Sequence, residues 1–354
     1  GPTLAERNVI IGTGTWNGEG FPGGFALQIV DASGTVVENN QIGTKPDGMS
    51  VGHAASIAGI LIDGVNSGTI LRGNRIAGVL ADVVPPHSPA YKMGAAVRIG
   101  GSGSGLLIVG NKIGLNALDQ PVLGSITGIE MLHWWNPSGV QDVVIGGLAP
   151  GEGNEIAGHK ADGIDVEHTF SGVRISGNSI HDNGALGIDL VTSLFVHGVT
   201  PNDALDVDSG GNGLQNFPVV QSATSADTTL HVVGTLDSSP SADFTLEVFA
   251  SPQCDSSGHG EGMVFIGSTQ VATNPAGNAA FDVTLPTPVL AGWFVSATAT
   301  SASGSTSEFS ACVTATGDPS PWTDLGLGLA GTSGVPQLSG NGTLQSLTPM
   351  GVAL

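Results

Sequence analysis

The sequence contains little positive charge, few aromatic side chains and few cysteines. Its 354 residues include nine Lys and Arg against 30 Asp and Glu, which gives a formal net charge of −21. A chain with so few cations has no basic surface for a phosphate backbone, so we expect no nucleic-acid partner. It also has no run of 18 apolar residues, and we therefore expect no membrane-spanning segment.

The only two cysteines, Cys254 and Cys312, both lie in the C-terminal half. A pair confined to one region predicts a disulfide and an oxidising compartment, and the alternative is two buried free thiols. Strong net acidity suits a secreted protein or one that binds divalent cations. The sequence therefore predicts a protein that is secreted or displayed on the cell surface.

Glycine is abundant, with 56 residues, and charged residues make up only 11%. This composition favours short strands and tight turns over a helical bundle. One short frame, Asn followed by any residue and then Ile, recurs along the first half. Its copies are Asn8–Ile10, Asn40–Ile42, Asn74–Ile76, Asn111–Ile113, Asn154–Ile156 and Asn178–Ile180. Asn suits the turn and can stack into amide ladders, while the Ile points inward.

A second apolar strand follows each turn with a period of two, which is a strand pattern. Its predicted inward pairs are Leu27/Ile29, Ile60/Ile62, Val97/Ile99, Ile129/Met131, Ile164/Val166 and Ile188/Leu190. A unit this short cannot bury its apolar face alone, so stacked copies must share one core. These motifs resemble the right-handed parallel β-helix repeats of secreted proteins and of many polysaccharide-active enzymes. We predict such a β-helix over residues 1–200.

The loops between the two strands differ in length from coil to coil. The second strand begins 10 residues after Asn154 and Asn178, but 18 to 23 residues after the four earlier turns. Long loops on one edge of a solenoid commonly form its binding face. The predicted ligand-binding residues are Trp16, His53, His87, Tyr91 and Lys92, together with His133, Trp134 and Trp135 in a second insertion. Such aromatics stack on sugar rings, although the loops could instead bury them.

The outward positions of the second strand form a column. From the first coil to the last it reads Gln28, Leu61, Arg98, Glu130, Asp165 and Asp189. Neighbouring strands lie about 4.8 Å apart, so the stacked carboxylates repel one another unless a cation neutralises them. Alternatively, the column is a solvated strand face on which Arg98 pairs with Glu130.

We predict catalytic residues at Arg98, Glu130, Asp165 and Asp189, with Lys160 nearby. Carboxylates about 5 Å apart suit a retaining glycoside hydrolase, and a wider spacing suits an inverting one. If the carboxylates bind Ca²⁺, Arg98 or Lys160 could serve as the base of a polysaccharide lyase. Glu167 and His168 extend the strand of Asp165 and are predicted to bind ligand.

Asp162-Gly163-Ile164-Asp165 and Asp182-Asn183-Gly184 are similar to segments of the polygalacturonase family. The resemblance implies glycoside hydrolysis and adds Asp162 and Asp182 as candidates. The second segment lacks the paired Asp of that family, and the family's His-Gly and Arg-Ile-Lys motifs are absent.

Residues 201–216 form an acidic junction with oxygen side chains along a Gly-rich loop. Asn202, Asp203, Asp206, Asp208 and Asn212 could together bind Ca²⁺ and rigidify the junction. The alternative is a linker rich in Asx turns.

Residues 217–316 alternate in short strands separated by Pro, Gly and Ser, which predicts an antiparallel sandwich. The segment from Trp293 to Thr300, with Phe309, resembles the last strands of bacterial immunoglobulin-like modules. The whole arrangement resembles a family of bacterial secreted β-helix proteins. Residues 317–354 are rich in Gly, Ser and Leu, which predicts a tail or a truncated segment.

Three functions are consistent with this organisation. The first prediction is an extracellular protein that binds polysaccharide or another surface, such as a cell-surface glycan, through the long-loop edge. The second is a polysaccharide lyase or glycoside hydrolase that uses the acidic column. The third is a structural adhesin stalk or filament subunit that self-associates.

Overall fold

The computed structural model describes residues 8–11, 24–50, 58–77, 94–132, 140–193 and 196–318. This part of the chain is all-β: a parallel β-solenoid followed by an antiparallel region consistent with an immunoglobulin-like sandwich, as predicted. The predicted ligand-binding residues of the long loops lie outside the described residues. They are Trp16, His53, His87, Tyr91, Lys92, His133, Trp134 and Trp135. Within the described ranges, no helix has the length and apolar character needed to cross a bilayer.

The first sheet of the solenoid, here the asparagine sheet, contains the repeated Asn-x-Ile frame. Its strands are Val9–Ile10, Gln41–Ile42, Arg75–Ile76, Lys112–Ile113, Glu155–Ala157 and Ser179–His181. Each Asn side chain donates to the Oδ1 of the next Asn at 2.9–3.2 Å, from Asn8 through to Asn178. The inward Ile residues from Ile42 to Ile180 are at most 1% exposed. The predicted amide ladder is confirmed.

The second sheet, here the acidic sheet, follows the long loops. Its strands are Phe25–Val30, Ala58–Asp63, Ala95–Ile99, Thr127–Met131, Ile164–Val166 and Ile188–Leu190. All are parallel, and their register aligns the inward residues, for example Ile129 with Ile164 and Ile164 with Ile188. Those inward side chains are almost fully buried from Ile60 onward, as the alternation predicts.

A third sheet, which the sequence patterns did not predict, closes the solenoid. Its strands are Val36–Glu38, Ile70–Arg72, Leu107–Val109, Val144–Gly146 and Arg174–Ser176. A short fourth sheet comprises Val65–Ser67, Ser102–Ser104 and Val140–Gln141. Leu71, Ile108 and Ile145 of the third sheet are fully buried and share one apolar core with the other two main sheets.

The C-terminal region contains two four-stranded sheets around a second apolar core. One sheet orders Asn278–Leu285, Thr229–Asp237, Val219–Ala226 and Thr316–Asp318. The other orders Val264–Ala272, Asp243–Ser251, Phe294–Ser301 and Val313–Thr314. Cys254 and Cys312 form the predicted disulfide, with their Cα atoms 6.1 Å apart. Such bonds persist in oxidising compartments.

The sandwich covers the last coil of the solenoid. Ile180 and Gly262 form an antiparallel backbone bridge, and Phe249 and Phe309 of the sandwich pack into the solenoid core. A parallel stack would otherwise end in an exposed strand edge with unpaired backbone groups. The sandwich therefore caps the solenoid.

Three buried glutamates of the sandwich bind the polar groups of this last coil. Glu308 accepts hydrogen bonds from the backbone N–H of Leu190 and Thr200 at 3.1 and 3.0 Å. Glu247 accepts from the Gly177 N–H at 2.8 Å, and Glu261 accepts from the side chain of Asn183 at 2.7 Å. Each carboxylate satisfies donors that the solenoid itself leaves unpaired.

Candidate functional site

The predicted column lies on the acidic sheet in the expected register. Arg98 pairs with Glu130, Glu130 with Asp165, and Asp165 with Asp189, on successive coils. The alternative of a solvated face is wrong, because these four side chains are 0–4% exposed. Charges buried to this degree are costly unless they are paired, protonated or bound to an ion.

Arg98 pairs with Glu130, as predicted. Its Nε and Nη2 both donate to Oε2 of Glu130, with the Nε bond at 2.8 Å. Burial lowers the pKa of Arg98 to about 10, although the negative charges of Asp165 and Glu167 oppose the shift. The guanidinium therefore stays positively charged at neutral pH, whereas burial and then the charge of Glu167 raise the pKa of Glu130 to about 8.

Three acids and one histidine converge next to this ion pair. Each of four residues, Asp162, Asp165, Asp189 and His197, has one carboxylate oxygen or imidazole nitrogen that lies within 4.8 Å of those of the other three. We call these four residues the acidic site. The Nδ1 of His197 lies 3.0 Å from Oδ2 of Asp189 and 4.0 Å from Oδ2 of Asp162. The cluster combines Asp165 and Asp189 from two strands, Asp162 from a loop and His197 from the segment after the last coil.

Hydrogen bonds orient the three carboxyl groups of the acidic site. The backbone N–H of Leu186 donates to Oδ1 of Asp162 at 2.8 Å, and that of Gly198 donates to Oδ2 of Asp189 at 3.2 Å. The hydroxyl of Thr127 donates to Oδ2 of Asp165 at 3.4 Å. The Oδ1 atoms of Asp165 and Asp189 are buried and have no hydrogen-bond partner in the described part of the chain.

The crowding of negative charge changes the protonation of the acidic site. Burial, and then the charges of Asp162, Asp189 and Glu130, raise the pKa of Asp165 well above its usual value. Burial and the charge of Asp189 raise the pKa of Asp162 to about 6. The hydrogen bond to Asp189 raises the pKa of His197. Groups with such different proton affinities in one cluster are typical of functional sites.

A small pocket, with room for about one water molecule, lies against Asp165 and His197 of the acidic site. Glu130, Asp165 and Glu167 line its acidic side, Leu132 and Val191 contribute apolar walls, and His197 also lines it. The side chain of His197 is 36% exposed, whereas Asp189 beneath it is completely buried. His197 is therefore the member of the site that solvent reaches most directly.

Only some of the other residues predicted near the column lie at the acidic site or its pocket. Glu167 is buried and lines the pocket, whereas Lys160 and His168 are exposed and lie outside the pocket lining. Of the two polygalacturonase-like candidates, Asp162 belongs to the acidic site. Asp182 instead lies 2.8 Å from Nδ1 of His181 on the asparagine sheet and is 64% exposed.

His197 was not among the residues predicted from the sequence. It belongs to no recognisable motif and lies beyond the last solenoid strand, in a segment without repeat periodicity. Its contact with Asp189 spans only eight residues, yet it depends on that segment folding back over the acidic sheet. Only the excess of nearby carboxylates could have indicated that a partner was needed.

Three of the five residues predicted to bind Ca²⁺ at the junction lie close together. Asp203, Asp206 and Asp208 place one oxygen each within 4.8 Å of the others, and burial raises the pKa of Asp206 and of Asp208. The amide of Asn202 bonds to the backbone of Phe217. The amide of Asn212 bonds to the backbones of Val173 and Thr306. Binding of Ca²⁺ by this loop stays a prediction.

No protein-family model matches the chain, and a search of curated proteins finds no match. The architecture alone is compatible with many activities. Function is therefore inferred from the acidic site.

Proposed function

We propose that the protein is an extracellular, polysaccharide-active β-solenoid enzyme whose reaction takes place at the acidic site. One observation carries this proposal: the column changes from uncharged to acidic without any structural need. Leu61 occupies the column position on the coil before Arg98, and it is buried there as an apolar side chain. Buried carboxyl groups with unpartnered oxygens destabilise a fold, so a functional role best explains their presence.

Asp165 and Asp189 are the best candidates for acid–base chemistry. They pair directly on adjacent strands, a spacing close to the roughly 5 Å that separates the two carboxyl groups of retaining glycoside hydrolases. The raised pKa of Asp165 favours its protonated form, which suits it to donate a proton. Asp189 accepts hydrogen bonds from His197 and Gly198, which orient it as the second carboxyl group.

The lyase alternative is weaker where it depends on Arg98. A base must lose its proton, but the guanidinium of Arg98 is bonded twice to Glu130 and keeps its charge at neutral pH. Lys160 is exposed and lies outside the pocket lining.

Extracellular location and the polysaccharide substrate rest on two supports. The disulfide Cys254–Cys312 suits an oxidising compartment. The solenoid repeat resembles that of many polysaccharide-active enzymes. Glycan binding through the long-loop edge stays a second prediction, because its aromatic residues lie outside the described part of the chain.

The proposal is tested by incubating the full chain with a panel of neutral and acidic polysaccharides. New reducing ends without ultraviolet absorbance would report hydrolysis, and new reducing ends together with the ultraviolet absorbance of unsaturated products would report a lyase. We expect turnover on at least one polysaccharide. A silent panel combined with binding on a glycan array would instead support the binding function, and silence in both assays with self-association would support a structural subunit.

A further inference from the structure

The charges around the acidic site do not balance. Four carboxyl groups of the column and the acidic site are at most 4% exposed: Glu130, Asp162, Asp165 and Asp189. Within the described ranges the cationic groups that face them are Arg98 and His197, so two negative charges remain even when both are cationic. A buried excess of this size requires protons or a bound cation.

The donor atoms of the acidic site have the spacing of a coordination shell. Two ligands of one ion cannot lie farther apart than twice the metal–ligand distance, which is about 4.0–4.8 Å for common divalent ions. The four donor atoms meet this limit, because all lie within 4.8 Å of one another. The 3.0 Å between His197 Nδ1 and Asp189 Oδ2 suits neighbouring ligands, and the 4.0 Å to Asp162 Oδ2 suits more distant ones.

A second observation points to a missing partner. Asp165 and Asp189 are 4% and 0% exposed, yet each keeps a buried oxygen that receives no hydrogen bond from the described residues. Buried carboxylate oxygens are rarely left unsatisfied. Thr127 donates a hydrogen bond to the other oxygen of Asp165, and Gly198 donates one to the other oxygen of Asp189. Leu186 donates one to Oδ1 of Asp162. Outer contacts of this kind are typical of metal ligands.

We propose that Asp162, Asp165, Asp189 and His197 bind one divalent ion of the Mn²⁺ or Zn²⁺ class. Three carboxylates and one imidazole suit such ions better than Ca²⁺ or Mg²⁺, which prefer oxygen ligands alone. This site is separate from the Asp203–Asp206–Asp208 loop at the junction. Ion binding does not depend on the protein being an enzyme. If the ion is bound during turnover, Asp165 and Asp189 are ligands, and a retaining hydrolase mechanism through them is ruled out.

The experiment uses the full chain after treatment with chelator and dialysis. MnCl₂, ZnCl₂ and CaCl₂ are titrated separately by calorimetry without any polysaccharide. We expect one Mn²⁺ or Zn²⁺ per chain, bound at least about tenfold more weakly by Asp165→Asn and by His197→Gln. Asp206→Asn, in the junction loop, is the matched control and should leave this binding unchanged.

Two results would overturn the proposal. One is the absence of Mn²⁺ and Zn²⁺ binding by the wild-type chain, and the other is binding that survives Asp165→Asn but is lost in Asp206→Asn. Ca²⁺ binding alone, or full affinity in His197→Gln, would contradict the imidazole ligand. Because His197 is exposed, its variant should fold even if Asp165→Asn does not. Ion binding and polysaccharide turnover are measured separately, so either can fail alone.

Discussion

Replacing Asp162 with Asn would remove one buried charge from the acidic site while preserving its shape. The Asn Oδ1 can still accept the hydrogen bond that Leu186 donates to Asp162 at 2.8 Å. The side chain of Asp162 is almost fully buried, and burial with the nearby charge of Asp189 raises its pKa from 3.8 to about 6. A shift of roughly two units corresponds to about 3 kcal/mol, at about 1.4 kcal/mol per unit.

The sign of the effect follows from the direction of this shift. A carboxyl group with a raised folded-state pKa costs nothing below its unfolded pKa, because both states are then protonated. The cost grows as the pH rises and is complete above about pH 6. We therefore expect Asp162→Asn to be more stable than wild type by up to about 3 kcal/mol above that pH. The gain should vanish below about pH 4.

Urea denaturation in the presence of chelator measures this difference at each pH. Asp142→Asn is the matched control, since Asp142 is an exposed acid of the same solenoid. A variant that is less stable than wild type above about pH 6 would refute the reasoning. A gain that is the same at every pH would also refute it, because it would not arise from the charge.

Three further predictions concern the cap, the disulfide and the junction. Glu308→Ala leaves the N–H groups of Leu190 and Thr200 unpaired, so urea denaturation should show a loss of about 2–5 kcal/mol. Glu308→Gln keeps an acceptor there and removes a carboxyl group whose pKa burial raises to about 8, so it should recover this loss fully. Reduction of Cys254–Cys312 frees a loop of 58 residues, and a cost of about 4 kcal/mol should appear as a lower denaturation midpoint. If the junction binds Ca²⁺, adding Ca²⁺ to chelated protein should raise its melting temperature, but not that of Asp203→Asn.

For each of these three predictions, one outcome would contradict the reasoning. Equal stability of Glu308→Ala and wild type would show that the cap does not depend on this carboxylate. A denaturation midpoint unchanged by reductant would mean that the disulfide does not restrict the unfolded chain. A melting temperature that Ca²⁺ does not change would remove the junction as a calcium site.

The parts of the fold that repeat were predictable. The Asn-x-Ile frame fixes the position of each turn, and the register of parallel strands then follows from the repeat itself. For this reason the sequence alone aligned Arg98, Glu130, Asp165 and Asp189 correctly on successive coils. Inward and outward faces were equally predictable, because alternation has a period of two.

The third sheet was missed because its strands are too short to show alternation. A pattern was nevertheless present: Val37, Leu71, Ile108 and Ile175 each lie three residues before a turn Asn. On the coil that ends at Asn154, an insertion moves the equivalent Ile145 farther from its turn. One displaced copy among five was enough to hide the repeat.

The environment of the acidic site could not be read from the repeat. The burial of Asp189 and its contact with His197 depend on the chain folding back after the last coil. The capping contacts of Glu247, Glu261 and Glu308 join residues 70 to 118 positions apart. Contacts between a repeat and non-repeating segments have no periodic pattern, and only the folded chain reveals them.

The initial rate of polysaccharide cleavage by Asp165→Asn tests the central claim most directly. The structure predicts a folded variant with at least about a hundredfold lower rate than wild type, since one of two carboxyl groups is lost. Asp203→Asn, at the junction, should keep the wild-type rate. Undiminished cleavage by Asp165→Asn would contradict the assignment of function to the acidic site.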